Sequence, residues 1–166
     1  MAQSTFNGDL FVNGSLSSTT FTAPASSITD TMIAANAKIK ATKLIHQHAV
    51  TFNTDPNSSV IADTQIIHIA HALGEVAFVE VMATTAPTSS DQVTVDILKG
   101  NAGASYSSVL SSVVTLTSSD ADRAVVSGTI TTTDYAAADS FQIVIVPTGT
   151  STKGLCVVVT LHENAQ

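Results

Sequence analysis

Charge, cysteine and tryptophan are all scarce in this 166-residue sequence, and each shortage narrows what the protein can be. Charged residues make up 11% of the chain, less than half of the roughly 25% found in a typical soluble domain. Six lysines and arginines oppose thirteen acidic residues, which argues against direct nucleic-acid binding because phosphate contacts need clustered cations. Cys156 is the only cysteine, so no intrachain disulfide can form, and its apolar neighbours predict a buried side chain. Without tryptophan and with two tyrosines, the sequence also has few aromatic rings on which a sugar could stack.

No stretch of the sequence has the composition of a targeting or membrane segment. The first residues contain neither the basic region nor the apolar run of a signal peptide. No run approaches the roughly 20 apolar residues of a membrane span. A hydrophobic fraction of 44% with so little charge is the opposite of a disordered chain. These features predict a soluble, folded protein made in the cytoplasm.

Apolar segments separated by turn-forming residues predict β-strands in the region from His46 onward. Valine, isoleucine and threonine are abundant there, and these β-branched residues favour pleated strands over helices. The sequence predicts eight such strands, at residues 48–53, 59–71, 75–83, 92–100, 108–117, 124–134, 140–147 and 155–163.

The alternation within two of these segments predicts how they are buried. Val93, Val95 and Ile97 face one way in their strand, with polar residues between them. Residues 140–147 are apolar on both faces, which predicts a strand at the centre of a sheet or against another subunit. Together the segments predict an all-β fold, an antiparallel β-sandwich or jelly roll of about eight strands. A meander sandwich of another topology is the alternative, because sequence does not determine strand order.

Residues 1–45 differ in composition from residues 46–166 and predict an extended N-terminal arm before the sandwich domain. The stretch FNGDLFVNGSL repeats an apolar residue, Asn-Gly and leucine six residues apart, which favours tight turns between short extended pieces. Further along, large apolar residues recur every five or six positions, a period of neither helix nor strand. The prediction is short strands or a short helix, with Thr29 or Asp30 as its cap.

The arm is too short to bury its own apolar side chains, so we expect them to be buried on another chain. A threefold arrangement would gather three copies of each side chain around one axis and make a small core from a thin segment. The residues predicted at this oligomerisation and attachment interface are Phe6, Leu10, Phe11, Val12, Leu16, Ile28, Ile33, Ile39 and Leu44.

The histidines are the best candidates for chemistry, and their spacing favours a structural role. His46 and His48 share one face of a predicted strand, a spacing that can ligate a metal. His68 and His71 are three apart, which on a strand sends them to opposite faces. Because no carboxylate or cysteine sits at a ligand-like spacing beside either pair, we predict strand or interface histidines rather than a metal site.

Other signatures of catalysis or ligand binding are missing as well. The turn SSDADR, residues 118–123, lacks the ligand count and the glycine of a calcium loop and is predicted to be a solvated turn. The sequence contains no G-x-S-x-G elbow, P-loop or G-x-G-x-x-G motif. We therefore predict no catalytic, metal-binding or cofactor-binding residues and no cofactor, and the chain is expected to be a non-enzymatic structural or interaction protein.

Three stretches resemble structural proteins of tailed-bacteriophage virions. FNGDLFVNGSLSS is similar to the repeat that opens their fibrous arms, and ITDTMIAANAKIKATKLIH resembles the connector from such an arm into a β domain. Residues 108–161 resemble their small β-sandwich domains. The resemblance is to trimeric capsid decoration (cement) proteins that have an N-terminal arm and a β-sandwich.

The resemblance implies a homotrimer that binds the major capsid protein and stabilises the head, with neither membrane nor nucleic acid as a direct partner. Its expected location is the capsid surface of the virion, after synthesis in the host cytoplasm. A tail fibre or spike component for host attachment is the alternative, followed by a carbohydrate-binding sandwich. The modest chain length favours a small domain bound to the capsid lattice over a component of a fibre.

Overall fold

The computed structural model describes residues 45–101 and 105–164, and every helix or strand assigned within these ranges is a β-strand. The predicted arm lies outside the described residues, apart from Ile45, where the first strand begins. The strands are β1 (Ile45–Asn53), β2 (Asp63–Ile69), β3 (Gly74–Thr85), β4 (Val93–Gly100), β5 (Ser107–Ser108), β6 (Val114–Leu116), β7 (Val126–Ser127), β8 (Asp134–Tyr135), β9 (Ser140–Pro147) and β10 (Lys153–Asn164).

Each of the eight predicted strands overlaps an observed one, but two of them are divided into shorter pieces. The predicted strand at 108–117 becomes β5 and β6, because the Ser108 hydroxyl accepts a hydrogen bond from Leu110 N (3.0 Å) and draws the chain out of the ladder. The predicted strand at 124–134 becomes β7 and β8. Both of these short strands pair with β3. Between them the ladder with β3 is interrupted, and Ile130 forms an isolated β-bridge with Leu110.

The strands form two antiparallel sheets of five strands each. Sheet I has the order β1-β10-β3-β7, with β8 also paired to β3, and sheet II has the order β2-β9-β4-β5, with β6 also paired to β4. The first strand thus pairs with the last, β2 with β9, β3 with β7 and β8, and β4 with β5 and β6. The described chain therefore forms one long antiparallel hairpin that is folded over into two sheets. The resulting strand order is that of a jelly roll.

Alternate residues of both sheets meet between them and form the core. In sheet II, Val93, Val95 and Ile97 of β4 are buried, as their alternation predicted. β9 lies between β2 and β4, which confirms the first of the two alternatives predicted for it, a strand at the centre of a sheet. The fully buried residues of β9 and of sheet I that complete the core include Phe141, Ile143, Ile145, Val76, Val79, Val81, Leu155, Val157 and Leu161.

Inner and outer positions of β9 should differ sharply in their contribution to stability. Ile143 is fully buried, whereas the Val146 side chain is 49% exposed on the outer face. We expect Ile143→Ala to lower the free energy of unfolding by about 2–5 kcal/mol, since it opens a cavity between the sheets. Val146→Ala, the matched control, should change it by no more than about 0.5 kcal/mol. Urea unfolding of both variants tests this, and equal losses would contradict the assignment of the two faces.

Candidate functional site

Four of the five histidines come from strand ends that meet at one end of the sandwich. They are His46 and His48 at the start of β1, His68 near the end of β2 and His162 near the end of β10. The antiparallel pairing of β1 with β10 places His46 opposite Glu163 and His48 opposite Leu161. We call this part of the molecule, with Glu75 and Glu163, the histidine end.

Glu163 places a carboxylate beside the histidine pair of β1, which has none at a ligand-like spacing in the sequence. His46 and His48 share one face of the strand, as predicted, with ring centroids 6.4 Å apart. His48 Nε2 lies 3.3 Å from Glu163 Oε2, and the Glu163 side chain is only 13% exposed. The lack of a carboxylate at a ligand-like spacing in the sequence therefore did not mean that none lies beside this pair in the fold. Sequence spacing could not reveal this contact, because Glu163 is far from His48 in the sequence. The two come close only because β1 pairs with β10.

His68 approaches the same carboxylate from the other sheet. A register shift between Ile66 and His68 places His68 opposite Phe141, which is buried. The rings of His68 and Phe141 are 6.1 Å apart, and His68 Nε2 lies 4.0 Å from Glu163 Oε1. His71 lies beyond the end of β2, so the alternation predicted to separate it from His68 does not extend that far.

Burial dominates the electrostatics of this end. Burial lowers the pKa of His68 below its ordinary 6.5, with Glu163 acting in the opposite direction and His48 and His71 reinforcing the decrease. Burial also raises the pKa of Tyr135 to about 12, with smaller contributions in the same direction from Glu163 and Glu75. Both shifts favour the neutral form of the side chain.

Tyr135 and a second carboxylate–histidine pair complete the histidine end. The Tyr135 hydroxyl donates a hydrogen bond to the His162 carbonyl oxygen (3.4 Å). The Tyr135 ring packs edge-on against Phe141, with centroids 5.3 Å apart. His162 Nδ1 lies 3.2 Å from Glu75 Oε1. The histidine end therefore brings together side chains from β1, β2, β3, β8, β9 and β10.

Among the described residues, no group of three or more histidine, cysteine or acidic side chains is arranged to hold a metal ion. The acidic turn at 118–123 uses its carboxylates within the fold. Asp120 Oδ2 accepts a hydrogen bond from Thr117 N (2.7 Å), and Asp122 Oδ1 accepts one from Ala86 N (2.8 Å). These bonds assign the turn a structural role.

The outer face of sheet I carries a second feature, an exposed apolar surface. Phe78 and Val125 are each 58% exposed. A shallow depression of about 90 Å³ lies on this face, and Glu80 is the one charged residue in its lining, which consists of Glu80, Val81, Met82, Val125, Cys156 and Val158. We call Phe78 and the lining of this depression the apolar face.

Cys156 belongs to the apolar face and is partly exposed, so the prediction that it is buried was wrong. β10 turns Leu155 and Val157 into the core, which directs Cys156 between them to the outside. Its apolar neighbours in sequence indicated an apolar environment but not which side of the sheet it faces.

Comparisons with known proteins do not place the chain in a family: no protein-family model matches it, and neither does any curated protein.

Within the described residues, no helix is long and apolar enough to cross a membrane. The nine residues predicted at an oligomer or capsid interface all lie outside the described residues. A function must therefore be argued from the sequence, the histidine end and the apolar face.

Removing the carboxylate at the centre of the histidine end should shift two pKa values in the same direction. In Glu163→Gln, the pKa of Tyr135 should fall below its value of about 12, since a negative charge no longer opposes the phenolate. The pKa of His68 should also fall, because the variant loses the anion that stabilises its imidazolium. Phenolate absorbance in a Tyr106→Phe background, where Tyr135 is the one remaining tyrosine of the sequence, reports Tyr135, and NMR of the imidazole protons reports His68. Glu80→Gln, a control on the apolar face, should leave both pKa values unchanged, and equal effects of the two variants would contradict the geometry.

Proposed function

We propose that this chain is a non-enzymatic structural protein of a tailed-bacteriophage virion, a capsid decoration (cement) protein that binds the major capsid lattice as a homotrimer and stabilises the head. The observation that supports this most is the apolar face, on a jelly-roll domain that follows an arm of apolar residues with no predicted core of its own. The resemblance of the arm, its connector and residues 108–161 to such virion proteins gives the specific role. The jelly-roll fold occurs in viral capsid proteins and also in lectins, so it supports the proposal by analogy alone.

The apolar face has the composition of an interface that is permanently covered. Phe78 and Val125 expose most of their side chains, and complete burial of a side chain of this kind contributes about 1.5–3 kcal/mol. Charged residues are depleted at the centres of protein interfaces, and the depression beside Val125 has only Glu80 as a charged lining residue. In the proposed trimer three copies of these contacts are linked, which strengthens the attachment of each trimer.

In the proposed mechanism, binding stabilises the head because the contacts exist only in the assembled shell. Anything that binds the assembled state and not the dissociated one shifts the equilibrium toward assembly. The arm supplies the trimer contacts, and the sandwich presents its surfaces to the capsid subunits beneath. No bond is made or broken, and no cofactor takes part.

The arm gives the proposal a direct test in solution. The full-length chain should sediment at about three times the 17.0 kDa of one chain. Leu10→Asp and Leu16→Asp should weaken trimer formation and capsid attachment, because each places a charge at a position proposed to be buried between chains. The β-sandwich should remain folded in both variants, as judged by circular dichroism.

Ser17→Asp is the matched control, since it adds the same charge beside Leu16 at a position that is polar in the sequence. We expect this variant to remain trimeric. A monomeric full-length chain, or normal trimers and normal capsid attachment in both leucine variants, would contradict the proposal. A tail fibre or spike component would also be trimeric, but it would bind to tails and not to heads.

A further inference from the structure

Within the described residues, β1 is the one long and regular strand at the edge of a sheet. At the far edge of sheet I lie β7 and β8, and at one edge of sheet II lie β5 and β6, all of them two or three residues long. β2, at the other edge of sheet II, has a register shift between Ile66 and His68. β1 pairs with β10 over nine residues without a shift.

The sequence of β1 also lacks the residues that keep a free edge from pairing with another chain. Proteins protect such edges with charged side chains, prolines, bulges or very short strands. The strand IHQHAVTFN contains no lysine, arginine, acidic residue, proline or glycine. Every other edge in the described part of the molecule is short or irregular, so the unprotected edge of β1 needs an explanation.

The hydrogen-bond pattern shows which backbone groups of β1 are directed away from β10. Thr54, the residue after β1, donates a hydrogen bond from its N–H to the Leu155 carbonyl oxygen (2.9 Å). Along an antiparallel ladder, residues that bond to the partner strand alternate with residues that face away from it. The residues whose N–H and C=O groups point to the free side of β1 are therefore Gln47, Ala49, Thr51 and Asn53.

The side chains of these four residues lie on the outer face of sheet I. Val50 and Phe52, which alternate with them, pack against the core, so their neighbours point the other way. All four are exposed, and none carries a charge. The free side of β1 thus presents a row of backbone donors and acceptors beside small or polar side chains.

We propose that this edge pairs with β1 of a second copy of the chain, antiparallel and about a twofold axis at Ala49, so that sheet I continues from one molecule into the next. The axis places Ala49 opposite Ala49 of the second copy, and Gln47 opposite Thr51 of the second copy. Each of these pairs exchanges two backbone hydrogen bonds. A contact about a twofold axis uses the same surface on both chains.

The composition of β1 favours an identical strand as its partner. A strand with charged side chains would find no opposite charge on β1, whereas a second β1 brings no like charges face to face. Ala49 is the middle residue of β1, so an axis there pairs more residues than an axis at either end. It also places the Gln47 amide across from the Thr51 hydroxyl, and these two groups can form a hydrogen bond.

The pairing is expected to be reversible. A contact made by one strand edge is much smaller than the roughly 1,600 Å² of a standard protein interface, so its extent should depend on concentration. It uses neither the leucines of the arm nor the apolar face. It therefore doubles whichever unit the arm forms, whether that unit is the proposed trimer or a single chain.

Sedimentation of the full-length chain over a range of concentrations tests the pairing. The mass of the wild type should double as the concentration rises. Thr51→Pro should abolish the doubling, because it removes an N–H on the free side and leaves the ladder with β10 intact. Thr51→Val, the matched control, keeps this N–H and a β-branched side chain, so its mass should still double.

Disulfide cross-linking tests the register. In a Cys156→Ser background, which removes the only native cysteine, Ala49→Cys places two thiols at the axis, with Cα atoms about 5.5 Å apart. Mild oxidation should then join two chains, since disulfides span about 4.4–6.8 Å between Cα atoms. Thr51→Cys, on the same face, places its two copies four residues out of register, about 13 Å apart. This variant should not cross-link.

The proposal is overturned by a wild-type mass that does not rise with concentration, by equal doubling in the wild type and Thr51→Pro, or by an Ala49→Cys variant that cross-links no better than Thr51→Cys. If Thr51→Pro does not fold, as judged by circular dichroism, the cross-linking decides. Leu10→Asp and Leu16→Asp in the arm should leave the doubling unchanged. Failure of the trimer and failure of the β1 pairing are therefore separate results.

Discussion

The pairing of β1 with β10 is the contact on which the rest of the domain depends. It joins the first described strand to the last over nine residue pairs, and it wraps the chain between them into two sheets. The same ladder has two consequences at once. Along its length it places Val50 opposite Val159 and Phe52 opposite Val157, on the inner face where the core forms. At its end it places His48 and Glu163 together. The pairing of β1 with β10 therefore contributes residues both to the core and to the histidine end.

Charged residues are scarce throughout the sequence, and the consequence differs from one part of the molecule to another. Between the sheets their absence is what any protein core shows. On the outer face of sheet I it leaves Phe78 and Val125 exposed, as expected for a surface that another protein covers. At the histidine end the charges are few but concentrated, with one carboxylate between two imidazoles. The structural role in an assembly that we propose would account for the apolar face.

The sequence predicted local features well and non-local ones poorly. The alternation of residues 93–97 and the two-sided apolar pattern of residues 140–147 correctly indicated a half-buried and a central strand, because side-chain direction in a strand has a period of two. The division of residues 108–117 depends on a bond from Leu110 N to the Ser108 hydroxyl, which competes with the ladder and leaves no periodic signal. Glu163 was missed because only the strand order brings it to His48. The exposure of Cys156 was missed because an apolar run does not show which face each residue takes. Thus the sandwich could be predicted from sequence, with the jelly roll as its leading topology, whereas the pairing of particular strands and the histidine end could not.

The location of this chain in an intact virus particle decides between the proposed decoration role and its alternatives. Electron cryomicroscopy of purified particles, combined with quantitative gel analysis of copy number, would measure it. We expect trimers in many copies over the head surface, each in contact with major capsid subunits. Few copies confined to the tail, or particles that contain none of the protein, would contradict it.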